Sequence, residues 1–380
     1  MDLFKILRFL AKGDKSIFDY SVEDQSTFLD SLPEPHDDID RSYLQFLCQD
    51  YFVAKAKSIF FDAVSVFAIP VIYVVLWVKS WRVKYVKPVD TICEDKKMPG
   101  IIPDELVSEF DLNYDAWHSG YALSANDIGY LIRKVWGPRK PYFVLKLSLR
   151  VATYSAMITK YRPKRIIAHT EFSFCSSALT DYCHHRGVCH INVMHGEKLY
   201  FIRDAFFRFD ECYVWDEHYV KIFERLRSET SQFRIAIPPS LKVDTSAYEN
   251  KNLYADYKYY LAYYTEADLK SIVESMDFVR REGKTIKFRF HPRYSDLKLL
   301  KKYVADCDIE DPFKVSISES ISNMHCAIGE YTTVMLQAYF SGKQVLLDDV
   351  TNKAQFDAVA SRGYILVERG GERLSSKLSI

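Results

Sequence analysis

Short apolar strands alternate with helices along most of this chain, and this alternation restricts the fold more than any other feature. In the first series, a buried strand at 165–169 is followed by a helix that Gly187 closes and by a strand that starts at Cys189. A second series follows from about residue 259. Strands that alternate with helices at such short spacing form parallel sheets with right-handed crossovers. The sequence therefore predicts an α/β protein with two Rossmann-like halves.

The length of 380 residues supports this division, because one core rarely extends over so long a chain. Residues 1–85 are predicted to form a partly helical, hydrophobic N-terminal extension. Residues 86–245 and 246–380 are predicted to be the two Rossmann-like domains. The polar, tyrosine-rich stretch at about 240–258 has no clear period and is predicted to link them.

The amino-acid composition limits which binding partners and which cellular compartment are expected for this chain. Basic and acidic residues number 51 each, so no global field would recruit nucleic acid, and no nucleic-acid partner is predicted. Eight cysteines are too few for a disulfide scaffold, and no cleavable signal peptide is evident, so a cytoplasmic protein is expected. The cluster "CHHRGVCH" at 183–190 lacks a paired C-x-x-C, and a structural role is favoured over a metal site. Neither a metal nor a cofactor is predicted.

The most apolar run is "IFFDAVSVFAIPVIYVVLWV" at 59–78, which lysines flank on both sides. Trp77 and Trp81 lie at its boundary, and interfacial tryptophan and lysine are typical of membrane-surface segments. The first twelve residues add a short basic amphipathic pattern. Peripheral contact with the inner face of the cell membrane is predicted. A membrane span and a buried core strand at 71–78 are the alternatives.

A basic corner ends one strand of the second domain, in the stretch "KFRFHPRYSD" at 287–296. Pro292 fixes φ and stops the strand ladder, so His291 would be held at the C-terminal edge of the sheet. Ligands bind at that edge in open α/β sheets. The corner, with Arg293, is therefore a candidate ligand site, and a polar turn that happens to contain a histidine is the alternative.

The stretch "IGEYTTVMLQAYFSGKQVLLDD" carries a second candidate. A strand ends at Gly329, and Thr332 and Thr333 open a helix whose N-terminal N–H groups could hold a phosphate together with the two hydroxyls. No G-x-x-x-x-G-K-[ST] motif is present. An ordinary helix cap is the alternative. Together with His291 and Arg293 on a neighbouring strand end, however, an anion site is the favoured interpretation.

The first domain offers polar and charged side chains in "HTEFSF" and "MHGEK", two stretches at strand ends: His169, Glu171, His195, Glu197 and Lys198. Gly196 next to His195 would let a ligand approach the backbone closely. An imidazole with a pKa near neutrality can take a proton from an acceptor hydroxyl. His195 is therefore the first candidate base and Glu171 the second. The remaining residues are possible acceptor-side groups, and satisfied polar turns are the alternative.

The motif "RFHPR", followed about 40 residues later by "IGEYTTVMLQAYFSGKQVLL", resembles the C-terminal nucleotide-binding domain of bacterial GT-B glycosyltransferases. The closest resemblance is to sialyltransferase-like enzymes of capsule and lipopolysaccharide synthesis, which use an HP motif and a Ser/Thr pair on the phosphate of a CMP-activated sugar. The layout is also similar to that of CDP-glycerol glycerophosphotransferases, where an H-G motif supplies the base. The resemblance covers roughly residues 160–365.

Carried onto this chain, the HP role falls on His291 and Pro292, the Ser/Thr role on Thr332 and Thr333, and the H-G role on His195 with Gly196. The pair is Thr-Thr where Ser is commoner, and the acidic base motif of the sialyltransferases has only "HTEF" as a counterpart. The resemblance implies a GT-B fold with two domains that face a cleft. The first domain would hold the acceptor and the second the nucleotide donor.

The implied activity is an inverting, metal-independent transfer of a sialic acid or Kdo-like sugar from a CMP-linked donor to a bacterial surface glycan or lipid-linked acceptor. A CDP-alditol phosphotransferase and a transferase for UDP-linked or other nucleotide sugars are alternatives on the same fold. A nucleotide-sugar epimerase and a non-catalytic GT-B-like binding or scaffold protein are further alternatives. Fold alone does not choose among them.

Overall fold

The computed structural model describes residues 15–94, 100–117 and 119–378. The chain divides into two compact units. The first unit comprises the chain up to His195 together with Tyr200–Ala236. The second unit comprises Gly196–Leu199 and the residues from Ile237 to Ile380. The described part of the predicted N-terminal extension thus belongs to the first unit. The amphipathic pattern predicted for residues 1–12 lies outside the described residues.

The first unit is built on a six-stranded sheet in which every described strand pair is parallel. Its strands are β1 Thr91–Cys93, β2 Leu112–Asn113, β3 Arg165–Ala168, β4 Cys189–Val193, β5 Glu211–Val214 and β6 Phe233–Ile235. The order across the sheet is β2-β1-β3-β4-β5-β6. The buried apolar side chains of β3 and β4 are typical of a parallel sheet that is covered on both faces.

Eight α-helices of the first unit lie in the described residues: α1 Val22–Asp30, α2 Asp38–Asp50, α3 Lys55–Ser80, α4 Asp104–Glu109, α5 Ala125–Lys134, α6 Pro141–Tyr161, α7 Ser176–His185 and α8 Glu217–Arg225. The stretch "SANDIGYLIRKVWG" predicts a helix that starts on a Ser cap; this helix is α5, and its Ser124 forms a capping box with Asp127. The stretch "LKLSLRVATYSAMITKYRP" predicts a helix that Pro163 ends; this helix is α6, and its C-cap residue Arg162 has a φ of 40°.

Asp127 also organises the core around α5. Its buried carboxylate accepts hydrogen bonds from Ser155 Oγ at 2.7 Å, from Tyr182 Oη at 2.7 Å and from Arg186 Nη1 at 2.9 Å. Burial acts to raise the pKa of Asp127, but the hydrogen bonds from Ser124, Ser155 and Tyr182 and the charge of Arg186 outweigh it, and the pKa is lowered. The carboxylate therefore ties α5, α6 and α7 together.

The apolar run predicted from the sequence forms α3, a helix of 26 residues that contains Pro70 and packs against α6. Asp62, the charge within the run, accepts a hydrogen bond from the backbone N–H of Tyr142 in the first turn of α6. The alternative of a buried strand at 71–78 is wrong, because these residues continue the helix. Among the described residues, α3 alone has the length and composition of a membrane-crossing helix, and a core helix or a signal sequence can share those properties.

The second unit has its own six-stranded sheet, again with every described pair parallel. Its strands are β7 Ala255–Tyr260, β8 Ile286–Arg289, β9 Ile309–Glu310, β10 Met324–Gly329, β11 Gln344–Leu347 and β12 Glu372–Arg373. The order is β12-β11-β10-β7-β8-β9. Two parallel six-stranded sheets confirm the predicted fold class of two Rossmann-like α/β domains.

The helices of the second unit within the described residues are α9 Glu266–Ser275, α10 Asp277–Arg281, α11 Leu297–Leu300, α12 Ile317–Ser322, α13 Thr333–Phe340, α14 Lys353–Ala360, α15 Ile365–Glu368 and α16 Leu374–Leu378. The stretch "TEADLKSIVESMDFVRREG" predicts one helix with a capping box from Thr265 to Asp268, and this capping box is present at the start of α9. The helix is interrupted at Met276, which separates α9 from α10.

Candidate functional site

The basic corner of the second unit follows β8 directly and has a fixed shape. The backbone N–H of His291 donates to Ser295 Oγ at 2.8 Å, and the backbone N–H of Arg293 donates to His291 Nδ1 at 3.1 Å. The ring of Tyr294 stacks on the imidazole with centroids 4.5 Å apart. Because Nδ1 accepts a hydrogen bond, the neutral imidazole carries its proton on Nε2.

The charge state of His291 follows from its surroundings. Partial burial and, secondarily, the charge of Arg293 lower the pKa of His291. The imidazole is therefore neutral at pH 7, and its Nε2–H can donate to an anionic oxygen. Arg293 is exposed beside it and supplies a guanidinium, the group best suited to phosphate.

The two threonines open α13, as predicted. Thr332 is the N-cap residue, but its side chain makes no capping hydrogen bond, and its Oγ1 is buried without a partner among the described residues. Thr333 is exposed in the first turn. Gly329 ends β10 where a Cβ would lie 3.3 Å from the backbone oxygen of Tyr260. The start of α13 thus presents unsatisfied N–H groups together with one orphaned hydroxyl.

Sheet register brings the corner and the start of α13 to the same edge. Tyr260 pairs with Arg289 on one side, and the register of Tyr259 with Ile328 places Gly329 level with Tyr260 on the other. The central strand β7 separates β8 from β10, and chain order reverses between β7 and β10. Such a switch point opens a crevice at the C-terminal ends of the strands. The strand ends that carry the two motifs are about 10 Å apart, which is two strand spacings.

Two acidic residues at this edge were not predicted. Glu330 follows β10, and burial first, then the charges of Asp348 and Asp268, raises its pKa to about 7. Asp348 follows β11 and accepts hydrogen bonds from Tyr259 Oη at 2.5 Å and Thr351 Oγ1 at 2.7 Å. A carboxyl that titrates near neutrality can both donate to and accept from a sugar hydroxyl. The positions of Glu330 and Asp348 directly after buried strands are the sequence signal that could have identified these two residues.

A buried ion network lies behind the corner. Glu310 accepts from Lys258 Nζ at 2.5 Å, from Arg289 Nη1 at 2.7 Å and from Ser320 Oγ at 2.5 Å. Burial opposes ionisation of Glu310, but Lys258, Ser320 and Arg289 lower its pKa. Arg289 also donates to the backbone oxygen of Val315. The charge of Arg289 is therefore neutralised inside the unit, whereas Arg293 has no carboxylate partner within the described residues.

The sheet of the first unit has its switch point between β1 and β3, where Glu94 and His169 follow the two strands. The backbone N–H of His169 donates to Glu94 Oε2 at 3.0 Å, and His169 Nε2 lies 4.0 Å from the same oxygen. Burial raises the pKa of Glu94, although His169 and Arg150 act to lower it. Glu94 was not predicted, because a three-residue strand precedes it and gives no periodic signal.

His195 follows β4 and is exposed, with its ring centroid 5.0 Å from that of His169. Gly196 has a φ of 73°, a conformation that favours glycine. The first unit therefore joins His169, His195 and Glu94 at one sheet edge. Two imidazoles beside a carboxyl are a set of groups that can accept and hold a proton.

Glu171, the second candidate base, is completely buried. Its Oε2 accepts a hydrogen bond from Asn192 Nδ2 at 3.1 Å, and its backbone oxygen accepts from Gln45 Nε2 at 3.0 Å. In the second unit, Glu197 Oε1 accepts from the backbone N–H of Ile365 at 3.3 Å, and Lys198 is buried. The predicted acceptor-side residues are thus divided between the two units.

The Cys-His cluster at 183–190 does not converge. His190 is buried, with Nε2 3.0 Å from Tyr154 Oη and Nδ1 2.9 Å from Thr180 Oγ1, while His184 Nε2 lies 2.5 Å from Asp210 Oδ1. Within residues 15–94, 100–117 and 119–378, no three His, Cys, Asp or Glu side chains form a group that could hold a metal ion.

No protein-family model matches this chain, and a search of curated proteins gives no match. Solved structures of similar fold include a UDP-GlcNAc 2-epimerase from Methanocaldococcus jannaschii (13% identity, TM-score 0.44, 78% of this chain and 92% of that chain covered). The calicheamicin glycosyltransferase CalG4 is 10% identical with a TM-score of 0.46, and 76% of this chain and 85% of that chain are covered. The wall teichoic acid polymerase TagF is 10% identical with a TM-score of 0.38, over 78% of this chain and 80% of that chain. These likenesses, at such identities and TM-scores, carry no argument about activity.

Proposed function

We propose that this chain is a glycosyltransferase that uses a nucleotide-linked sugar, and that the second unit binds the phosphate of the donor. The observation that carries the proposal is the pair of donors at the β7/β10 switch point. A neutral His291 with its proton on Nε2 lies on one side. The N-terminus of α13, with the orphaned hydroxyl of Thr332, lies on the other.

The chemistry follows from these groups. An acceptor hydroxyl attacks the anomeric carbon and loses its proton to His195, whose ring lies beside His169. The bond from the anomeric carbon to the phosphate oxygen breaks, and negative charge develops on the released nucleotide. The Nε2–H of His291, the guanidinium of Arg293 and the first turn of α13 stabilise that charge. Burial of Glu171 makes His195 the better candidate base.

The proposed donor is a CMP-linked sugar, and this preference is supported by the resemblance of the His-Pro and Thr-Thr motifs. A CDP-alditol phosphotransferase and a UDP-sugar transferase place a diphosphate on the same groups. The extra donors at this edge, Arg293 and Thr333, are exposed and suit either a single phosphate or a diphosphate. A UDP-sugar transferase releases UDP, whereas the other two candidates both release CMP. The transferred group, a sugar or an alditol phosphate, therefore distinguishes those two.

We also propose that the chain acts at the inner face of the cell membrane, through the outer side of α3. Phe60, Phe67 and Val71 on this side are 60%, 79% and 63% exposed. Lys55 lies at one end of the helix and Lys79 at the other. An apolar helix face between basic ends binds an anionic lipid surface. Co-sedimentation with anionic vesicles should fall in a Phe67→Ser variant, and unchanged sedimentation would contradict the proposal.

Calorimetry with CMP, CDP and UDP tests the donor site. His291→Ala removes one hydrogen bond to an anionic group, so nucleotide affinity should fall about 10- to 100-fold. His325→Ala is the matched control, because His325 is an exposed histidine near the start of β10 in the same unit, and this variant should bind like the original protein. The tightest nucleotide then selects the sugar donors for a product assay.

Three outcomes decide the proposal. Tight CMP binding that His291→Ala weakens supports a CMP-sugar donor. Preference for UDP supports a UDP-sugar donor, and preference for CDP supports a CDP-linked donor. Absence of nucleotide binding by a folded protein would contradict the enzyme proposal and favour a binding or scaffold role.

A further inference from the structure

A cavity of about 450 Å³ lies in the first unit, away from the histidines at the sheet edge. Residues of α2, α3 and α6 line it, and the short 3-10 helices at Ile17–Asp19 and Ile202–Asp204 contribute further side chains. Its walls are largely aromatic, with Phe46, Phe61, Tyr142 and Phe201 among them. The proposed phosphate site, the proposed base His195 and the outer side of α3 do not involve this cavity.

Lys146 gives the cavity an uncompensated positive charge. Its Nζ lies 4.3 Å from the ring centroid of Phe174, 5.3 Å from that of Tyr142 and 5.5 Å from that of Phe46. Across the described part of the chain, no carboxylate lies within 4 Å of this ammonium, and it makes no hydrogen bond. Burial lowers the pKa of Lys146 to about 8. Three aromatic faces offset only part of the cost of burying a cation, so an anion would be stabilised here.

The other charged groups of the cavity leave a net positive lining. Arg203 pairs with Asp204 through Nε at 2.8 Å and also faces the rings of Phe172 and Phe201. Among the lining residues that the structure describes, Asp50 is the acidic one, and it is paired with Lys140 Nζ at 2.5 Å. Lys15 lies on the wall as a further cation. The cavity is therefore complementary to an anionic group rather than to a cation.

An apolar surface continues from this cavity. Phe61 of α3 lines it, and the preceding residues Ile59 and Phe60 are 59% and 60% exposed on the outer side of the same helix. The rings of Phe60 and Phe61 have centroids 5.8 Å apart. A molecule with an anionic head in the cavity could thus extend a hydrocarbon chain along α3.

We propose that this cavity binds the anionic head group of a membrane amphiphile, a phosphate or carboxylate that carries a hydrocarbon chain. The loop after β3 connects the cavity with the sheet edge that carries the candidate base His195. His169 begins this loop with its ring centroid 5.0 Å from that of His195, and Phe174, which contacts Lys146, lies within the loop. Binding does not depend on the proposed function. The further step, that such an amphiphile is the class of acceptor, rests on the proposed function.

Calorimetry with dodecyl phosphate below its critical micelle concentration tests the site on the full chain. Inorganic phosphate supplies the head group alone, and dodecyl maltoside supplies the chain with a neutral head. Dodecyl phosphate should bind at least about tenfold more tightly than either. Lys146→Met should weaken it about tenfold, while Lys146→Arg should stay within about threefold of the original protein. Lys164→Met, which changes an exposed lysine of the same unit, is the control.

Each outcome decides the inference. If inorganic phosphate binds as tightly as dodecyl phosphate, the site is one for free anions. If dodecyl maltoside binds as tightly, the site is an apolar groove without selectivity for charge. Either result overturns the proposal. Unchanged binding by a folded Lys146→Met variant also overturns it. Because no nucleotide is present, dodecyl phosphate binding together with failed nucleotide binding would refute the proposed function and leave this site standing.

Discussion

The two sheet edges of this chain share a scaffold and differ in chemistry. Each belongs to a six-stranded parallel sheet, and each carries a histidine just beyond a strand next to the switch point. At the second edge, His291 has Arg293 beside it, and the start of α13 follows β10, two strands away from β8. At the first edge, His169 has the carboxylate of Glu94 and the ring of His195.

This difference teaches that topology selects where a ligand site lies, while a few neighbours select what the site does. A guanidinium, an imidazole N–H and helix N–H groups favour negative charge and suit a leaving phosphate. Two imidazoles at the first edge, that of His195 being exposed, suit a general base. The same residue type therefore carries two expected roles in one protein.

The largest effect is expected from His195→Ala. Loss of a general base should lower kcat about 10²- to 10⁴-fold and leave nucleotide affinity unchanged, because the two roles lie on different edges. Rates measured with the best nucleotide sugar and calorimetry with the matching nucleotide test this together. His36→Ala, which changes an exposed histidine of the first unit, is the control. If His195→Ala also lowers nucleotide affinity, the assignment of the two roles to different sheet edges is contradicted.

The next effect concerns the network that supports the second edge. Glu310→Gln leaves Lys258 and Arg289 buried without their carboxylate, which should lower the free energy of unfolding by about 3–5 kcal/mol. Glu282→Gln removes an exposed pair with Lys284 and should change it by less than about 1 kcal/mol. Urea unfolding of both variants measures the difference. Similar values for the two would show that the buried network does not stabilise this edge.

Glu330 should make the stability of the second edge depend on pH. Its pKa is raised in the folded state, so its contribution to stability is present below the unfolded value of about 4.5 and is lost as pH rises through about 7. Relative to Glu330→Gln, the original protein should lose about 1–2 kcal/mol between pH 4.5 and 8, because solvent screens part of this half-buried charge. Urea unfolding at several pH values gives the curve, and parallel profiles would contradict the assignment.

A smaller effect is expected from Thr332→Val. The change keeps the shape of the side chain and removes the orphaned hydroxyl, so nucleotide affinity should fall about three- to tenfold. Thr332→Ser restores the hydroxyl and should bind like the original protein. If the Thr332→Val variant binds the nucleotide as tightly as the original protein, the hydroxyl does not contact the phosphate. The anion site then consists of His291, Arg293 and backbone N–H groups.

The sequence supported much of the fold and part of the site. Strong local signals, such as the Ser cap at Ser124 and the capping box at Thr265, predicted helix starts that the structure has. Strands β1, β2, β9 and β12 have only two or three residues, too few for any periodic pattern. Glu94 was not predicted as a site residue, because the short strand β1 that precedes it was not predicted either. The raised pKa of Glu330 and the aromatic surroundings of Lys146 depend on residues distant in sequence, which local patterns do not predict.

Nitrogen-15 NMR of the histidine side chains during titration with CMP tests the division of roles most directly. The His291 signal, assigned by its loss in His291→Asn, should report a neutral ring with the proton on Nε2 and should shift on saturation. The signals of His169 and His195 should stay in place. A His291 signal that does not move at saturating CMP, with shifts at His169 or His195 instead, would contradict the account.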